Sequence, residues 1–97
     1  MGIVTESLTC YLVEWYRPGV DEIHLPKRVA EIDRSLISVR AQGASVRYLY
    51  ILAVPADEVV FGVFDADSAD VVALVCRRAG IPASRLTAAV ADGAHNS

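Results

Sequence analysis

Two β-prone runs separated by three residues constrain the fold of this chain more than any other feature. Val46–Val54 (VRYLYILAV) and residues 58–64 (EVVFGVF) are rich in β-branched and aromatic side chains, with Pro55, Ala56 and Asp57 between them. A connection that short joins antiparallel neighbours, so the pair reads as a hairpin. Side chains on a strand alternate between faces. In the first run Tyr48, Tyr50, Leu52 and Val54 point one way and Leu49, Ile51 and Ala53 the other; in the second, Val59, Phe61 and Val63 oppose Val60 and Phe64. A half-exposed antiparallel sheet alternates apolar with polar, and this one does not. Both of its faces need covering.

Helical patterns flank the hairpin. Val29, Ile32, Leu36 and Val39 recur at helical spacing, with Arg28, Glu31, Arg34 and Gln42 read as largely off the stripe. Pro26 suits the first turn, and Gly43 suits the positive φ that often ends a helix. After the hairpin, residues 68–78 carry Val71, Val72, Leu74 and Val75, followed by Arg77, Arg78, Gly80 and Pro82. Asp67 and Asp70 are read as the cap and its box partner. Residues 8–16 (LTCYLVEWY) form a first strand that stops at Arg17-Pro18-Gly19, and residues 86–90 (LTAAV) a weaker fourth.

The order is β-α-β-β-α-β with short connections. That predicts an α+β, ferredoxin-like domain, with a four-stranded antiparallel sheet carrying both helices on one face. The 97 residues fit one domain, with a core over about residues 8–90 and a frayed tail over residues 91–97. The sheet face away from the helices then needs another cover. A second copy of the chain is the simplest one, and the apolar content of 54% agrees with a buried subunit interface, so a homodimer is expected.

Charge narrows the partners. A formal net charge of -3 offers no basic face for phosphates, so nucleic acid is not an expected partner. No run approaches the roughly 18 apolar residues of a membrane helix, and residues 1–5 do not read as a signal peptide. Cys10 and Cys76 are too few for a disulfide framework. These readings make the cytoplasm the expected location.

Tyr11-Leu12-Val13-Glu14-Trp15-Tyr16 with Pro18-Gly19, Val46-Arg47-Tyr48-Leu49, Val60-Phe61-Gly62-Val63-Phe64-Asp65-Ala66, and Arg78-Ala79-Gly80-Ile81-Pro82 with Arg85-Leu86 form a distinctive set. Together they resemble a family of small actinobacterial proteins that carry a domain of unknown function and include nickel-binding members. The resemblance covers most of the chain, and it implies a ferredoxin-like dimer. Metal-binding members of that family tend to carry a histidine near the end of strand one and a cysteine in strand three. Here those stretches read Val13-Glu14-Trp15-Tyr16 and Phe61-Gly62-Val63-Phe64, with neither, so no metal ligand is assigned.

Glu14 interrupts an apolar strand. It reads as a general base or ligand anchor with Tyr48 or Tyr50 nearby, or as half of an ion pair with Arg47 or Arg17. His24, just before the first helix, is either a metal- or proton-handling residue or a solvent-facing loop histidine. His95 lies in the tail. Cys10 and Cys76 are redox groups or, more simply, small buried hydrophobes. Tyr11, Trp15, Tyr16, Tyr48 and Tyr50 line a ligand cavity or anchor the dimer. Asp65, Asp67 and Asp70 suit a hard cation or helix capping. No phosphate loop or nucleophile motif is present.

The expected function is a small binding protein, a homodimer holding a small ligand or a metal ion near Glu14, His24, Tyr48 and Tyr50. The alternatives are a cofactor-free enzyme of the dimeric ferredoxin-like monooxygenase or isomerase type and a protein-interaction module. The residues name neither a cofactor nor a catalytic group.

Overall fold

A computed structural model describes residues 8–17 and 24–90. The elements run β1 (Thr9–Tyr16), α1 (Leu25–Arg40), β2 (Val46–Val54), a 3-10 turn (Pro55–Asp57), β3 (Val59–Ala66), α2 (Ala69–Arg78) and β4 (Arg85–Ala89). All strand pairs are antiparallel, in the order β2-β3-β1-β4. This is the expected α+β, ferredoxin-like arrangement. The Pro18-Gly19 turn, the remainder of the loop before His24, the tail and His95 lie outside the described residues.

One face of the sheet and the two helices enclose the core. Tyr11, Val13 and Trp15 of β1 and Val60, Phe64 and Ala66 of β3 meet Ile32, Leu36 and Val39 of α1 and Val72, Val75 and Cys76 of α2. The helices are stitched by Ser35, buried between them, whose Oγ donates to the Val75 carbonyl at 2.7 Å. Trp15 crosses the layers, its Nε1 donating to the Ile81 carbonyl at 2.7 Å. That bond pins the segment after α2 onto the end of β1. Gly62 makes room for the indole: a Cβ there would stand 2.9 Å from Trp15 Cη2 and 3.0 Å from Phe64 Cε1.

Three local readings change. Strand β2 carries a bulge between Tyr48 and Tyr50, so Tyr48 pairs with Phe64 but Tyr50 pairs with Val63. One extra residue inverts the alternation. Val46, Tyr48, Ile51 and Ala53 therefore pack toward the helices, while Tyr50 and Leu52 face away. The N-cap of α2 is Ser68, not Asp67: the Ser68 Oγ accepts from the Val71 N–H at 3.4 Å. Asp67 instead exchanges bonds with Ser45, its carboxylate accepting the Ser45 N–H at 2.8 Å and its own N–H donating to the Ser45 carbonyl at 3.0 Å. The hairpin connection closes through Glu58, in the left-handed region at φ 53°, so β3 begins one residue later than expected and runs on to Ala66.

Candidate functional site

The sheet presents two regions of interest, one on each face. On the helix side, at the end where β1 stops and α1 starts, lies a cavity of about 140 Å³. Trp15, Ile32, Ile51, Val60 and Ile81 make its apolar wall, with Arg28 and Ser84 supplying polar groups. The local sequence explains its position. Gly80, with φ at 84°, ends α2, and Pro82 prevents continuation, so the chain turns down toward β4. The Ser84 N–H then donates to the Glu14 carbonyl at 2.9 Å, and the Ser84 Oγ accepts the Tyr16 N–H at 3.0 Å. These bonds and the Trp15–Ile81 bond hold the mouth of the cavity rigidly.

Arg28, expected off the apolar stripe, has a side chain that is only 14% exposed. It precedes Ile32 by four residues, which places both on one side of the helix. Its Nη1 lies 3.1 Å from Glu31 Oε1, while its buried Nε has no hydrogen-bond partner among the described residues. The four-residue spacing to Ile32 is the signal that would have found it.

The opposite face of the sheet is apolar and uncovered. Tyr50 is 56% exposed and Leu52 51%, and the half-exposed Tyr16 lies on the same face two strands away on β1. Two ion pairs flank this surface. Arg47 Nη2 lies 3.1 Å from Asp65 Oδ2, and Arg85 Nε lies 3.8 Å from Glu14 Oε2.

The structure does not bring the four sequence-derived site residues together. Glu14 lies on the uncovered face, where its Oε1 accepts the Tyr16 hydroxyl at 3.0 Å and Arg85 is its ionic partner, in place of Arg47 or Arg17. Tyr50 shares that face but stands two strands away, roughly 10 Å at ordinary strand spacing. Tyr48 packs against the core on the other side. His24 is exposed at the start of α1, and its carbonyl accepts the Arg28 N–H at 3.1 Å. Among the described residues no three His, Cys, Asp or Glu converge to hold a metal ion, so no donor set there fits nickel.

The aromatics divide in the same way, with Tyr11, Trp15 and Tyr48 toward the helices and Tyr16 and Tyr50 on the uncovered face. The cysteines are poor nucleophiles. Burial pushes the Cys76 thiol up to about 12. Cys10 is raised first by burial and then by the Asp65 carboxylate directly across the β1–β3 pair. A thiol held protonated does not attack, which favours packing over redox chemistry at both positions.

No helix of the described residues is long and apolar enough to cross a membrane. No family model matches the chain, and no curated protein matches it. Among solved structures, the crystal structure of SCO4226 from Streptomyces coelicolor A3(2) is similar, with a TM-score of 0.59 over 87% of this chain and 99% of that one, at 17% identity. At that identity the likeness speaks for the fold alone.

Proposed function

We propose that this chain is a cytoplasmic small-ligand-binding protein that works as a homodimer, the dimer being what its resemblance to the small actinobacterial family would imply. The observation that carries the ligand reading is the cavity beneath Trp15: apolar on most of its wall and rigidly framed, with only a few polar groups. The dimer reading rests on the other face, where Tyr50 and Leu52 are solvated between ion pairs of both signs. An apolar patch with a polar rim is the usual anatomy of a protein interface. A rim that carries both charges can complement itself across a two-fold axis.

The two alternatives fare differently. An enzyme using Glu14 as its base needs that carboxylate in the cavity, and Glu14 lies on the opposite face of the sheet. The ion-paired Glu14 at the edge of the uncovered face favours an interaction role for that surface, which a homodimer satisfies.

Trp15 is the sole tryptophan and lines the cavity, so its fluorescence reports occupancy directly. Titration with small aromatic probes, benzyl alcohol first, is expected to give a saturable change; a linear response to every probe up to its solubility limit refutes the ligand reading. Sedimentation should give a dimer for the wild type, and Leu52→Asp should give folded monomers. A wild-type monomer, or an unchanged Leu52→Asp dimer, refutes the interface.

A further inference from the structure

The geometry points to a small aromatic carboxylate as the ligand of the Trp15 cavity, held by Arg28 and Ser84. This deepens the small-ligand reading and rests on it. The cavity volume sets the size. About 140 Å³ is close to the roughly 150 Å³ of an apolar cavity that accepts benzene, so one ring fills it. The wall sets the character of that ring: an indole face with Ile32, Ile51 and Val60 suits a flat apolar body.

The polar groups set the charge. A guanidinium carries five donors and no acceptor, and burying one of its N–H groups without an acceptor is unfavourable. Arg28 is in that state. Its Nη1 lies 3.1 Å from Glu31 Oε1, and both that oxygen and the Arg28 Nε are buried without a hydrogen-bond partner among the described residues. Arg28 lines the cavity and Glu31 does not, so the cationic residue of the pair is the one that borders the ligand space. Ser84 adds a second donor. Its Oγ already accepts from the Tyr16 N–H, and among the described residues it donates to nothing, which leaves its hydroxyl proton for an acceptor. A carboxylate offers two acceptor oxygens to these donors. A neutral ring brings the guanidinium no acceptor of opposite charge, and a cationic ring is repelled by it.

The test compares benzoate, benzyl alcohol and benzamidine by Trp15 fluorescence, with calorimetry on the same samples. Benzoate is expected to bind at least about tenfold more tightly than benzyl alcohol, and benzamidine not at all. Arg28→Gln should remove that preference, and Glu31→Gln, which keeps the cation, should retain it. Equal affinity of the wild type for benzoate and benzyl alcohol overturns the carboxylate assignment but leaves the cavity reading standing. Failure of all three probes to bind overturns the cavity reading itself. Because the ligand comparison is made on the wild type, the assignment stays refutable if Arg28→Gln fails to fold.

Discussion

Gly62→Ala probes the contact on which both the core and the cavity wall depend. Gly62 lies on the helix-facing side of β3, between Val13 and Ile51, and does not need positive φ. On backbone grounds alone, alanine in a strand is favoured over glycine by about 0.5–1 kcal/mol. The space is the obstacle. The new methyl would stand 2.9 Å and 3.0 Å from two indole carbons of Trp15 and 3.0 Å from Phe64 Cε1. Neither ring can yield easily: Phe64 is fully buried, and Trp15 is tethered through its Nε1 bond to Ile81. Overpacking of this kind costs about 1–3 kcal/mol, so the net expectation is a loss of about 1–2 kcal/mol. For a domain of this size that lowers Tm by about 5–10 °C, measured by far-UV circular dichroism. A double-mutant cycle locates the cause. Trp15→Phe removes the outer indole carbons, so Gly62→Ala should cost much less in that background. The same displacement of Trp15 should weaken ligand binding in the cavity. An alanine variant as stable as the wild type, or an undiminished penalty in the Trp15→Phe background, would refute the steric argument.

Two further perturbations test separate features. The buried Cys76 thiol titrates near 12 when folded against a reference of 9.0, so its contribution to stability is complete below about pH 9 and fades as pH rises from there toward 12. That amounts to about 3 kcal/mol lost by pH 11, visible as a steeper alkaline decline in urea stability than Cys76→Ala shows; parallel declines would contradict it. Ser68→Ala removes the side-chain acceptor for the Val71 N–H and should cost about 1 kcal/mol in thermal unfolding. Asp70→Ala, which touches only the helix dipole, should cost less, and the reverse ranking would restore an aspartate-based cap.

The fold was legible where local chemistry decides it. Pro55 and the apolar run before it mark Val46–Val54 to the residue, because proline interrupts the ladder whatever the strand packs against. Of the stripe through Val29, Ile32, Leu36 and Val39, the last three are buried as the spacing requires, and Val29 is only partly buried. Gly43 and Gly80 both adopt positive φ behind their helices. Other features depended on partners distant in the chain. The bulge that separates Tyr48 from Tyr50 is a mismatch with β3, and no alternation within β2 reveals it. The pairing of Glu14 with Arg85 follows from β4 lying beside β1, a choice made by sheet order. The cavity depends on more still. It forms where Trp15, α1 and the turn after α2 meet, and it draws Arg28 under cover because a helix side chain four residues from a buried isoleucine follows that residue inward. Sequence by itself determined the elements and their order, since those rest on propensity, periodicity and turn chemistry. Only the tertiary structure decided which polar groups share a space, because that depends on register and layer packing between residues far apart in the chain.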